Sequence, residues 1–184
     1  PVGIGKGLKT KINANIGTSG DFSKIEGEIA KVEMVVRHRA DSVMDLSTGG
    51  DVTAIRRALI ERCTIPFGNV PIYQMAKDYA ASKREFVRME FPQMLEYIEE
   101  QAEDGVDYMT IHCALLREHL PLIERRVTGI VSRGGSLVAK WMAAHQKQNP
   151  FYEHFNELCA IMRTSDVTWS LGDRNSGESG AVTF

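Results

Sequence analysis

"VTGIVSRGGSLVAKW", residues 127–141, is the stretch whose reading decides the fold. A β-branched run over 127–132 gives way to Arg133 and two glycines, and then to apolar residues at helical spacing, so it reads as a strand handing over to a helix. The same change of period recurs along the chain. Strands are expected near 10–16, 41–47, 69–73, 106–112, 127–132 and 167–172. Helices are expected near 22–38, 51–62, 75–85, 92–103, 115–125, 135–147 and 152–164, with Asp21 and Asp51 placed to cap the first two, and residues 83–93 joining two helices. Such alternation predicts an α/β protein of about six parallel strand-helix units, either a doubly wound open sheet or most of an eight-stranded barrel.

The bulk numbers narrow the partners. The chain has 184 residues, a formal net charge of -2 and 25% charged residues, so neither sign dominates and a nucleic acid or anionic membrane bound by charge alone is excluded. Its cysteines are Cys63, Cys113 and Cys159, an odd number without a Cys-x-x-Cys pair, which fits a reducing cytosol better than a disulfide framework or a metal knuckle. No apolar run approaches the roughly 20 residues needed to span a bilayer. The start at Pro1 and the aperiodic end "DRNSGESGAVTF" read as the ends of a piece of a longer protein. Residues 1–173, undivided by any linker, are expected to form one partial barrel that holds substrate. Residues 174–184 are expected to be an aberrant or disordered tail.

In parallel α/β folds ligands bind where the carboxyl ends of the strands converge. Unusual residues collect at those ends: Asn13 and Asn15, Met44 and Asp45, Tyr73, His112, Ser132 and Arg133, and Asp173. Each also has a purely structural reading. His112 serves equally as a hydrogen-bonded core histidine, Met44 as packing, Asn15 as a loop tie, and "STGGD" as a turn capping the next helix. "SRGG" carries the strongest local signal. Glycines let backbone amides approach a ligand, a helix start offers free N–H groups, and a guanidinium presents a planar fork to two phosphate oxygens. The structural alternative is a strand-helix turn with a solvated arginine.

Taken in order and spacing, "KINANIGTS", "VMDLSTGGD", "VPIYQ", "EDGVDYMTIHC", "VTGIVSRGGS" and "DVTWSLGD" resemble the phosphomethylpyrimidine synthase family of thiamine biosynthesis over residues 8–173. The resemblance implies an incomplete (β/α)8 TIM-type barrel, truncated at both ends. It implies a radical S-adenosylmethionine lyase that turns 5-aminoimidazole ribotide into hydroxymethylpyrimidine phosphate with a [4Fe-4S] cluster and a second divalent metal, zinc or iron, in a cytoplasmic homodimer. Carried over motif by motif, the substrate contacts are Asn15, Met44, Tyr73, His112, the phosphate-holding Ser132, Arg133 and Gly134, and Asp173. No catalytic or metal-ligating residue is assigned. Departures accompany the match: Ala114 stands where the family has glycine and Asn69 where it has threonine. Ser176 replaces a substrate arginine, and the cluster-binding Cys-x-x-Cys-x-x-x-x-Cys finds no counterpart, so the chain is expected to be inactive alone. A one-base shift near codons 174–176 would restore Pro-Gly-Ser-Leu, similar to the family's continuation. Alternatives are a non-catalytic ribotide-binding fragment, 5-hydroxybenzimidazole synthase, and a phosphate-binding α/β domain of unrelated chemistry.

Overall fold

The computed structural model describes residues 2–123 and 127–171. Its framework is a five-stranded, all-parallel sheet in the sequential order β1 (Asn13–Ile16), β2 (Ser42–Asp45), β3 (Phe67–Asn69), β4 (Tyr108–Ile111) and β5 (Thr168–Leu171). Strand order never reverses, so the switch point of a doubly wound sheet is absent among the described strands. Helices α1 (Ile25–Arg37), α2 (Val52–Arg62), α3 (Pro71–Ala81), α4 (Phe91–Glu103), α5 (Leu120–Ile123), α6 (Arg133–His145), α7 (Pro150–Glu153) and α8 (Phe155–Thr164) fill the crossovers.

Periodicity explains most of this. In α4 the residues Phe91, Met94, Ile98 and Ala102 recur at three- and four-residue steps and are all buried. Asp51 caps α2 as expected, its Oδ1 accepting from the Ala54 amide at 3.0 Å. Asp21 does not cap α1, whose N-cap position belongs to Lys24 and has no side-chain bond.

Two strands of the sequence reading need correction. The run 69–73 is not a strand: β3 ends at Asn69 and Pro71 opens α3, which puts Tyr73 in a helical first turn. Proline has no N–H to give to a ladder and a φ already suited to the first helical position. Nor is 127–132 a strand. Val127 and Thr128 form a turn, Gly129 has a φ of +59°, and Ser132 is the N-cap of α6. The edge of β4 it would have joined is taken along its length by β5, from Tyr108↔Thr168 to Ile111↔Leu171. The expected helix 115–125 is a 3-10 turn (Arg117–His119) followed by α5. Asp173 and the tail 174–184 lie outside the described residues.

The two faces of the sheet differ in chemistry. Val43, Phe67, Met109 and Ile111 are buried and belong to the apolar core, which the helices complete with side chains such as Leu59 and Met142. The opposite face is polar. There Asn13 Oδ1 accepts from Ser42 Oγ at 2.9 Å and from the Tyr108 hydroxyl at 2.7 Å, and Thr110 Oγ1 donates to Ser170 Oγ at 3.0 Å. Tyr108 reaches across β3, and its one hydroxyl hydrogen is shared between Asn13 Oδ1 and the Val43 carbonyl, 2.8 Å away. It can do so because β3 has Gly68 there: a Cβ at that position would lie 2.1 Å from the tyrosine ring.

Candidate functional site

At the carboxyl ends of the strands, α6 brings its amino-terminal turn against the end of β4. The Ser132 hydroxyl accepts from the Gly135 amide at 3.1 Å, which caps the helix and leaves the amides of Arg133 and Gly134 without an intrahelical acceptor. The same hydroxyl lies 3.0 Å from His112 Nε2. Gly134 packs against the imidazole face so closely that a Cβ there would be 2.2 Å from Cε1. Beside them the Arg133 guanidinium stands 5.6 Å from the centre of the Tyr73 ring, which is presented by the first turn of α3. Five residues singled out in the sequence, Tyr73, His112, Ser132, Arg133 and Gly134, therefore form one cluster.

The electrostatics of the cluster are uneven. His112 is 5% exposed, and burial alone lowers its pKa to about 4, so the ring is neutral at neutral pH. Its Nδ1 is buried and has no hydrogen-bond partner among the described residues. Burial raises the Tyr73 hydroxyl, and nearby Arg133 offsets part of that rise. Arg133 itself is exposed. A cation at a helix start, two amides without a partner among the described residues and a neutral imidazole suit a ligand with an anionic end and an uncharged polar body.

Asn15 and Met44 form a second set. They are paired in register at the ends of β1 and β2, on the polar face of the sheet. Asn15 Oδ1 accepts from Asn13 Nδ2 at 2.9 Å, and the Met44 sulfur lies 4.0 Å from the Thr110 hydroxyl, two residues before His112 on β4. The "STGGD" loop has the structural role. Thr18 Oγ1 donates to the Gly49 carbonyl at 2.7 Å, the Thr18 amide donates to Ser47 Oγ at 3.0 Å, and a Cβ on Gly49 would meet Ser19 O at 1.9 Å. Asp45 points to the helix side, where burial raises its pKa against the hydrogen bonds from Ser47. Asp173 lies outside the described residues.

Sequence reasoning missed two groups behind the site. Arg56 is 1% exposed inside α2. Its Nε and Nη2 donate to Asp104 Oδ2 at 2.9 and 2.6 Å, and its Nη1 donates to Gln74 Oε1, beside Tyr73, at 2.6 Å. Gln101 Nε2 donates to the same Gln74 oxygen at 3.1 Å, and Asn69 Nδ2 donates to Gln101 Oε1 at 2.6 Å. A charged residue on the apolar stripe of a helix was the available signal. The second group is Asn149, whose Nδ2 reaches the His112 carbonyl at 2.8 Å. The Asn-Pro pair announces a helix start, not that reach.

No group of three His, Cys, Asp or Glu side chains able to hold a metal occurs among the described residues. Cys63 caps α2, Cys113 is buried in the loop after β4 and Cys159 lies in α8. That distribution does not fit an iron-sulfur cluster. No described helix is long and apolar enough to cross a membrane.

Comparison with known proteins agrees with the motif reading. The model of the radical SAM ThiC family matches residues 1–182. The chain is 45% identical over 174 residues to a phosphomethylpyrimidine synthase from Desulfotalea psychrophila (strain LSv54 / DSM 12343). That alignment takes in 94% of this chain and spans 40% of the relative's length.

Proposed function

Because this chain belongs to the radical SAM ThiC family, we propose that it forms the ribotide-holding part of a phosphomethylpyrimidine synthase, a cytoplasmic, homodimeric lyase of thiamine biosynthesis that converts 5-aminoimidazole ribotide to hydroxymethylpyrimidine phosphate. The observation that carries this reading is the convergence of Tyr73, His112, Ser132 and Arg133 on the first turn of α6. The Arg133 guanidinium and the amides of Arg133 and Gly134 hold the phosphate. Tyr73 and neutral His112 orient the imidazole and ribose, with Asn15, Met44 and Asp173 completing the site. Binding energy taken up at the remote phosphate orients the reacting ring. The five-stranded sheet is read as an arc of a (β/α)8 barrel with its polar face inward.

The [4Fe-4S] cluster and S-adenosylmethionine supply radical chemistry in this reading, and a second divalent metal belongs beside them. The described residues do not fit the cluster, so what this chain's own side chains do is bind and orient. Their arrangement favours a second reading for the 184-residue polypeptide itself, a ribotide binder without chemistry. Anaerobic reconstitution separates the two: bound iron together with cleavage of S-adenosylmethionine would overturn the non-catalytic version. Calorimetry with 5-aminoimidazole ribotide tests the shared premise. Arg133→Ala is expected to weaken binding about tenfold or more, and equal affinities would remove the phosphate role.

A further inference from the structure

We propose that Asn149 is a positioning residue for His112, its side-chain amide fixing the peptide that presents the imidazole to the site. The inference rests on the reading of His112 as a ribotide contact. Where β4 stops, its ladder stops too: the last pair with β5 is Ile111↔Leu171, and the last with β3 is Asn69↔Met109. In the chain beyond, Ala114 is exposed but His112, Cys113 and Leu115 are buried. None of their carbonyls accepts from a backbone N–H among the described residues, a condition that native structures rarely leave unrelieved for buried groups.

Asn149 relieves it. This residue, 0% exposed, directs Nδ2 at the carbonyls of His112 (2.8 Å), Leu115 (2.9 Å) and Cys113 (3.3 Å), 34 to 37 residues away in sequence. Its Oδ1 accepts from the Phe151 amide at 3.0 Å and so caps α7. One side chain thus ties the start of α7 to the loop that carries His112. The ring has little freedom in return, since Ser132 holds its edge and Gly134 lies against its face. A backbone shift at His112 of a few tenths of an ångström would drive the ring into α6 or pull it off the serine.

The two ends of Asn149 can be separated. Asn149→Ser and Asn149→Thr both keep an oxygen able to cap α7 and lose the amide donors. Running the pair leaves one variant to give the answer should the other fail to fold. Ribotide affinity is measured by calorimetry in the wild-type and His112→Ala backgrounds, and the His112 ring is titrated by NMR without ligand. In the wild-type background the substitution is expected to weaken ribotide binding at least about tenfold. In the His112→Ala background it is expected to change affinity less than about twofold, the coupling that direct positioning requires. The ring's midpoint should move from about 4 toward 6.5 as its enclosure loosens. Equal losses in both backgrounds, or an unmoved midpoint in a folded variant, would overturn the assignment. A wild-type chain that binds no ribotide would instead sink the reading of the site, and the ligand-free titration would still decide the clamp.

Discussion

Gly134→Ala turns the contact between α6 and His112 into a measurable penalty. In a first helical turn, alanine is ordinarily an improvement on glycine, by up to about 1 kcal/mol. Here the added methyl would sit 2.2 Å from Cε1 of His112 and 2.6 Å from each ring nitrogen, more than 1 Å inside ordinary contact. The ring cannot swing aside freely, because Nε2 is engaged with Ser132 and the residue is buried. Overpacking of this kind costs about 1–3 kcal/mol; taking its middle value of about 2 and subtracting a propensity gain of up to about 1 leaves a net loss of ~1–2 kcal/mol. For a chain of this size that is a fall in melting temperature of roughly 2–8 °C. The neighbouring glycine supplies the control. A Cβ on Gly135 meets nothing closer than Ile130 Cγ2 at 3.2 Å, and Gly135→Ala should change stability by less than about 1 kcal/mol. Urea unfolding of both variants, read by far-UV circular dichroism, gives the comparison. A Gly134→Ala protein at least as stable as wild type would show that the imidazole is not packed on this turn.

Asp104→Ala removes the carboxylate that receives both Nε and Nη2 of buried Arg56. Because Glu100 Oε1 still stands 3.6 Å from Nη2, the buried cation keeps one carboxylate and the loss is at most about 3 kcal/mol, visible as a lower urea midpoint, whereas Asp104→Asn should cost less because it keeps one acceptor. Acid stability carries the signature of His112. Its folded pKa, about 4, lies below the ordinary 6.5, so between those values the unfolded chain binds a proton that the folded chain refuses. Stability is therefore complete above pH 6.5 and falls as pH drops toward 4, by about 3 kcal/mol over the whole window. Asp45, raised by burial, works in the opposite sense: its penalty appears as pH rises above the ordinary carboxylate range. The difference between wild type and His112→Gln isolates the histidine. Parallel stability curves from pH 7 to 4 would contradict its burial as a neutral ring.

Local pattern carried much of the architecture. The strands β1, β2, β4 and β5 and the helices α2, α4, α6 and α8 fall within a few residues of where period places them, because that signal resides in a dozen neighbouring residues, whereas α3 (Pro71–Ala81) starts four residues before the expected 75–85. Tyr73 was misassigned for a local reason as well: Val70, Ile72 and Tyr73 have strand-like chemistry, and only Pro71 shows that the run opens a helix. Residues 127–132 failed for a non-local one. Their β-branched composition needs a vacant sheet edge, and whether β4 has one is settled by Thr168–Leu171, some forty residues downstream. The site was legible in the same graded way. "SRGG" was read as a strand end opening into a helix start that could face a ligand, and the structure makes Ser132 the helix cap and sets it and Gly134 on His112. Asn149 was silent because its clamp reaches back 37 residues, and no window of sequence contains both ends.

Arginine possesses donors and no acceptor, and that asymmetry propagates from Arg56. Gln74 must turn its oxygen toward the guanidinium. Gln101 must then offer nitrogen to that oxygen and oxygen to Asn69. The lone pair left over emerges at the tip of β3, on Asn69 Oδ1. One cation in α2 dictates the sense of three carboxamides in succession. A neutral residue of similar bulk at position 56 would free the whole row to invert, exchanging an acceptor for a donor at the far end with no other change in sequence.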